Sequence, residues 1–253
     1  MVAQRGLPDG RADGVWCRLG EPRTTARIAL AGADWLCLDG HHGAFDDAAV
    51  VATMQALAAL PDRPPVAVRV AGLSDTLIGR ALDSGADVVI VPMVETADDA
   101  RAAAAAAHYP PAGRRSWGPM AELWGGEVPS TADARAELWV MIETRAGLGE
   151  VERILAVPGV AGVFVGPFDL AIGLGVELDG LLAADAPGDP LPTIVAAARR
   201  AGRSTGAFAG DPVRAERLRS LGFDRVAVAT DLSLIARGAA AVLGTGASDP
   251  SAY

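Results

Sequence analysis

The chain has 253 residues, 51% of them apolar and only 5% aromatic, with a formal net charge of −9. A chain of this length buries a sizeable core, and the composition makes that core aliphatic: Ala, Val, Leu and Ile. The acidic balance excludes the basic surfaces that nucleic acids and anionic membranes require, but it leaves room for an anionic small molecule in a pocket whose field a cation reverses.

The opening segment, MVAQRGLPDGRADG, lacks the apolar stretch of a secretory signal. No apolar run approaches the roughly 20 residues of a membrane span, so a cytoplasmic protein is expected. Strand-like runs follow. GVWCRL (14–19) and WLCLD (35–39) carry the two cysteines, Cys17 and Cys37, which read as reduced core thiols. WLCLD stops at Asp39, and Gly40, His41 and His42 follow. If strand geometry persists through the pair, one ring faces the strand end and the other turns toward the helix layer. The pair is a candidate near-neutral acid or base, or a packing pair. PVAVRV (65–70) is apolar except for Arg69, which needs a partner there. That partner is either a structural carboxylate or an anionic substrate matched to the guanidinium fork. The helical LIGRALDSG ends at Gly85 and carries Asp83 in its last turn, where an acid opposes the helix dipole.

DVVIVPM (87–93) leads to TADDARAAAAAA, a helix with Thr96 as cap and acids in its first turn. His108 ends it as a structural residue. The stretch 110–137 is rich in Gly and Pro, and with 175–192 it is the longest irregular segment; both are expected near a mouth or lid. Between them, LWVMIET (138–144) carries Glu143 and GVFVGP (162–167) leads to Asp169. These acids are 169 − 143 = 26 residues apart, one β/α unit. On adjacent strands, about 4.8 Å apart, they can share one cation, and oxygen donors favour Mg²⁺ or Mn²⁺. Each can equally cap the next helix. STGAFAG (204–210), the helix DPVRAERLRSLG and DRVAVAT (224–230) complete the series, with Thr230 and Asp231 at the last strand end. The terminal GTGASDPSAY reads as frayed.

Eight continuous β-rich runs, each followed by helical sequence, predict a single-domain (β/α)₈ barrel spanning the chain, with the barrel itself at about 14–243. The other architecture for this pattern is an open doubly wound sheet. In a barrel, chemistry gathers at the C-terminal strand ends, where Asp39, His41, His42, Arg69, Glu143, Asp169, Thr230 and Asp231 fall. The chain contains no lysine, which excludes a phosphate-loop lysine and any Schiff base with substrate or PLP. IGLG (172–175) is no dinucleotide fingerprint, so NAD lacks support.

Four separated segments, WLCLDGHHGAFDD, VRVAGLSDTLIGRALDSGADVVIVPMVETADDAR, YPPAGRRSWGP and MIETRAGLGEVERILAVPGVAGVFVGPFDLAIGLG, resemble the HpcH/HpaI aldolase family in the family's order. The likeness runs from about Gly14 to Ala240. It implies a metal-dependent class II aldolase on a β/α barrel. Such an enzyme reversibly cleaves 4-hydroxy-2-oxo acids to pyruvate or hydroxypyruvate and an aldehyde through an enolate. It implies Mg²⁺ or Mn²⁺, with Co²⁺ as an alternative, on Glu143 and Asp169. It implies His42 as acid/base with Asp83 as its dyad partner, and Arg69 as enolate stabiliser. Trp16 becomes a pocket residue, and backbone N–H groups near Phe168 and Asp169 hold the substrate carboxylate. Ser116 and Trp117 shape the pocket. His41 stands where the family usually has Glu or Gln. The resemblance also implies a homo-oligomer, a hexamer built as a trimer of dimers. Two rival readings are a citrate-lyase-like acyl-CoA lyase, which would need a basic CoA surface, and a non-catalytic barrel that binds 2-oxo acids.

Overall fold

A computed structural model describes residues 6–131 and 137–244. Eight parallel strands close into a barrel in sequence order: β1 (Ala12–Cys17), β2 (Trp35–Asp39), β3 (Val66–Arg69), β4 (Val88–Val91), β5 (Glu137–Ile142), β6 (Val160–Val165), β7 (Ser204–Phe208) and β8 (Arg225–Thr230). The barrel, not the open sheet, is what the eight runs form. Helices α1 (Pro22–Leu30), α2 (Asp47–Ala58), α3 (Asp75–Asp83) and α4 (Ala97–Ala107) follow the first four strands in turn. Two short helices, α5 (Arg145–Gly149) and α6 (Val151–Leu155), follow β5. Three follow β6: α7 (Pro167–Leu174), α8 (Leu178–Ala183) and α9 (Pro190–Ala201). Helices α10 (Pro212–Leu221) and α11 (Asp231–Leu243) close the series. The 175–192 stretch is therefore not irregular, since it contains α8 and the start of α9. The segment expected to fray, beyond Gly244, lies outside the described residues, as do 132–136.

Two cores result from the strand alternation. The outer one, between sheet and helices, is aliphatic as composition requires. The barrel interior is not. Trp16, Trp35, Trp139 and Phe164 fill it, with Cys37, Ile90 and Met141. Glycines make this possible: a Cβ on Gly14 would lie 2.1 Å from the Trp35 ring, one on Gly162 2.6 Å from Trp139, and one on Gly206 2.7 Å from Phe164. Small residues on one strand thus seat large rings from its neighbour, so three of the five tryptophans form a solid floor beneath the C-terminal mouth. Both cysteines are free and buried, as expected.

The helix signals read from sequence are realised locally. Thr96 and Asp99 make a reciprocal capping box on α4. Asp211 caps α10, accepting from the N–H groups of Val213 and Arg214, and Gly222 closes that helix in the left-handed region at φ 105°. His108 caps α4 and its Nε2 lies 3.1 Å from the Gly159 carbonyl oxygen, a structural contact.

Candidate active site

The C-terminal ends of β2 and β3 are in register, with Asp39 opposite Arg69. Both side chains point into the barrel mouth and meet in a two-pronged ion pair. Arg69 Nε donates to Asp39 Oδ1 at 2.9 Å and Nη2 to Oδ2 at 2.7 Å. Trp16 Nε1 also donates to Oδ2, at 3.1 Å, and the Arg69 guanidinium stacks over the Trp16 ring at 5.1 Å. The partner Arg69 needed is therefore a structural carboxylate, which occupies the Nε and Nη2 donors and leaves Nη1 outside the pair. Burial alone would raise the Asp39 pKa, but the hydrogen bonds and charge of Arg69 outweigh it and hold the carboxyl below its usual range. The same pairing raises Arg69 against the opposing effect of its burial.

Asp39 also shapes the turn that follows. Its Oδ1 accepts from the backbone N–H groups of His41 and His42, at 3.0 and 3.1 Å. Five donors thus converge on one carboxylate. Gly40 and Gly43 allow the tight path, since a Cβ would lie 2.9 Å from the Arg69 carbonyl oxygen and 2.5 Å from that of Asp39. Strand geometry therefore ends at Asp39, and the expected alternation of the two histidines does not hold. Their rings touch, with centroids 3.9 Å apart. His41 Nδ1 lies 2.8 Å from the Ala71 carbonyl oxygen, which only accepts, so that nitrogen carries the proton. His42 lines the central cavity, and its carbonyl oxygen accepts from Arg18 Nη2. Partial burial, and next the neighbouring charges of His41 and Arg69, lower the His42 pKa.

Glu143 sits just beyond β5. It does not cap the next helix, because Thr144 does so by accepting from Gly147 N–H. Glu143 Oε1 instead accepts from the Met93 N–H at 2.7 Å. Met93 adopts φ 56°, the one non-glycine positive φ among the described residues, a strained backbone of the kind found at functional sites. Glu143 Oε2 faces Gly166, where a Cβ would lie 2.7 Å away. Burial raises the Glu143 pKa, and the charge of Asp169 adds to that rise while the Met93 N–H and Arg69 oppose it. Asp169 lies in the first turn of α7 and lines the cavity with Phe168. That helix begins its own ladder at Leu170 N–H to Gly166 O, so the amides of Phe168 and Asp169 precede it at the positive end of the dipole.

Trp16, His42, Arg69, Phe168 and Asp169 therefore share one cavity of about 760 Å³ including its open mouth, with Glu143 behind Gly166. Two expected members are elsewhere. Asp83 accepts from Arg115 Nη2 at 2.7 Å instead of meeting His42, and Ser116 is exposed. Neither lines the cavity, and neither do residues 110–131 or 175–192. Sequence reasoning assigned no role to Asp39, and it missed Arg18, Phe208 and Arg214, which also line the cavity. Arg18 and Arg214 lie just past β1 and β7, so a fuller reading of those strand ends could have found them.

Among the described residues no cluster of three His, Cys, Asp or Glu side chains is placed to hold a metal. The chemistry of Glu143 and Asp169 nevertheless fits a hard divalent cation. One buried carboxylate has a raised pKa and an acidic neighbour, and Mg²⁺ commonly takes one or two carboxylates with substrate and water completing its shell.

Residues 13–238 match the HpcH/HpaI aldolase/citrate lyase family. The chain belongs to this family. It is 36% identical over 229 residues to a hydroxypyruvate/pyruvate aldolase of Roseovarius nubinhibens, covering 88% of each chain. It is 36% identical over 244 residues to a 4-hydroxy-2-oxo-heptane-1,7-dioate aldolase of Salmonella arizonae, covering 90% of this chain and 88% of that one. A crystal structure of an HpcH/HpaI aldolase/citrate lyase family protein from Burkholderia cenocepacia superimposes with a TM-score of 0.81 at 32% identity, over 93% and 94% of the two chains. The family likeness carried by four sequence segments thus extends across nearly all of the chain.

Proposed function

We infer that the protein is an aldolase, a carbon–carbon lyase that reversibly cleaves 4-hydroxy-2-oxo acids to a small 2-oxo acid and an aldehyde. The observation that carries this reading is one cavity at the barrel mouth that gathers His42, Arg69 and Asp169, with Glu143 behind Gly166 of its wall, in a chain of the HpcH/HpaI family. Pyruvate or hydroxypyruvate is the donor proposed, after the relatives named for them.

In cleavage, a base takes the proton of the 4-hydroxyl, the C3–C4 bond breaks, and its electron pair passes to the C2 carbonyl oxygen as an enolate. Protonation at C3 then gives the 2-oxo acid. His42 serves as the acid/base: its lowered pKa keeps the ring neutral near pH 7, and the bonds of Asp39 and Arg18 to its backbone fix its place. Arg69 keeps one edge, Nη1, for the developing oxyanion, because Asp39 occupies Nε and Nη2. The amides of Phe168 and Asp169 suit the substrate carboxylate. Glu143 and Asp169 would hold a divalent ion, Mg²⁺ or Mn²⁺, which supplies Lewis acidity at the carbonyl when bound. Glu143 is held for this by Met93, leaving Oε2 toward the cavity side.

Self-association is part of the reading. The exposed Leu234, Ile235, Val242 and Leu243 of α11 support an oligomer, for which the family resemblance implies a hexamer. No helix among the described residues is long and apolar enough to cross a membrane, and a cytoplasmic location is proposed.

The test is proton exchange at C3, which needs no aldehyde. In D₂O with Mg²⁺ and pyruvate, the methyl signal should fade by proton NMR. His42→Ala should slow the exchange roughly 10²- to 10⁴-fold. An unchanged signal with wild-type protein would refute the aldolase reading.

A further inference from the structure

Thr230 and Asp231 both fall at the last strand end, but only Thr230 has evident employment there. It caps α11 in a reciprocal box with Ser233, so the helix does not need Asp231 for that task. Yet Asp231 is only 1% exposed, a costly place for a carboxylate unless hydrogen bonds hold it. Three backbone N–H groups do so. Oδ2 accepts from Arg18 at 2.8 Å and from Leu19 at 2.9 Å, and Oδ1 accepts from Leu232 at 2.9 Å. The carboxylate thus crosses the seam where β8 meets β1 and fixes the first residues beyond β1.

Arg18 carries that restraint to the histidine turn. Its carbonyl oxygen accepts from the Ala44 N–H at 2.7 Å, and its Nη2 donates to the His42 carbonyl oxygen at 3.2 Å. The backbones are also in close packing. A Cβ on Gly43 would lie 3.0 Å from Arg18 Cα, and one on Gly20 would lie 2.4 Å from the Ala44 carbonyl oxygen. The turn that bears His42 is therefore held from two sides. Asp39 holds the N–H groups of His41 and His42 from β2, and Arg18 grips the turn at His42 and Ala44 from β1.

We propose that Asp231 is a positioning residue for His42 and acts through Arg18, so that the ring stands correctly only while the β8–β1 seam is locked. The proposal rests on the reading of His42 as the acid/base and adds the residues that place it. Asp231 does not line the cavity. Its effect is on geometry alone, and a shift of about 1 Å at a reacting group can cost on the order of 10²-fold in rate.

The experiment joins pyruvate methyl exchange in D₂O to proton NMR of the histidines, of which the chain has three. Arg18→Ala removes the side-chain grip on His42 and leaves Asp231 with its backbone bonds. Asp231→Asn replaces a carboxylate that accepts from three N–H groups with an amide whose nitrogen only donates. Each should slow exchange about 10- to 100-fold in kcat with little change in KM for pyruvate. The double variant should fall within about twofold of the slower single variant, because both act along one path. Arg18→Lys should recover part of the loss, since its ammonium can still donate to the carbonyl. Losses that multiply in the double variant would overturn the proposal. A rise in KM with kcat kept would make Arg18 a substrate contact and overturn it as well. So would near wild-type exchange in Arg18→Ala, even if Asp231→Asn failed to fold. The histidine spectrum needs no turnover. The His42 Cε1–H signal, assigned with His42→Ala, should move in both single variants, while that of His108 at the end of α4 stays in place. An unmoved His42 signal would overturn the clamp, whereas absence of exchange in wild-type protein would count against the aldolase reading itself.

Discussion

At the scale of single residues, the site turns on Asp39. Its carboxylate gathers two strands, a tryptophan and the histidine turn. Asp39→Ala would strand a buried guanidinium, so unfolding free energy measured in urea should fall by about 3–5 kcal/mol. Arg69→Lys keeps the charge but cannot bridge both Asp39 oxygens while presenting a further donor to the cavity. Its turnover should fall on the order of 10²-fold, as for loss of an oxyanion donor; a value within about threefold of wild type would assign Arg69 to structure alone. The sequence made the need for a partner visible in PVAVRV, but not which partner, because the Asp39–Arg69 match exists only once β2 and β3 are in register. The histidines teach the converse. Alternation assumes a strand, and the strand ends one residue before Gly40. A pH prediction follows from their contact. In the proposed role His42 acts as a base when neutral, and its lowered pKa keeps it neutral below the ordinary imidazole value of about 6.5. The acid limb of the exchange rate should therefore lie below that value. His41→Gln removes one of the charges that lower it, so the limb should move to higher pH. A pH–rate series by NMR checks this, and a limb that moves down or stays fixed would show that the rings are not coupled.

Among the elements, the eight strands were legible because buried parallel strands read as continuous apolar runs. That same continuity hid which side chains face inward, and so an aliphatic composition gave no hint of a tryptophan-filled barrel floor. The glycines were the available signal, at Gly14, Gly162 and Gly206, each seating a neighbour's ring. The same logic separates two glycines on the β6 side of the barrel. In Gly162→Ala the new methyl meets Trp139 at 2.6 Å, within packed structure. It should cost about 1–3 kcal/mol by overpacking, measured as a lower urea midpoint. In Gly166→Ala the methyl meets Glu143 Oε2 at 2.7 Å. There the carboxylate must move, so catalytic loss should outstrip loss of stability. Kinetics and unfolding on both variants test the contrast; equal behaviour would mean that Gly166 serves packing rather than the placement of Glu143.

For the whole molecule, the question is how a chain of charge −9 without lysine handles an anionic 2-oxo acid. Arginines supply part of the answer at the cavity wall. The carboxylates of Glu143 and Asp169 work against it unless a cation joins them; burial is the main cause that raises the pKa of Glu143, and the charge of Asp169 adds a smaller part. A divalent ion should compete with protonation of Glu143, so affinity should weaken as pH falls through its raised pKa. Because the ion binds the folded site, it should also raise the melting temperature with increasing concentration, following the logarithm of one plus the ratio of ion concentration to Kd. Glu143→Gln removes the charge while keeping the shape, so its melting temperature should respond little to Mg²⁺ or Mn²⁺. In wild-type protein, EDTA should abolish pyruvate proton exchange, and Mg²⁺, Mn²⁺ or Co²⁺ should restore it. Full exchange in excess chelator, together with a melting temperature indifferent to these ions, would leave the two carboxylates as a local acid pair and remove the metal from the mechanism.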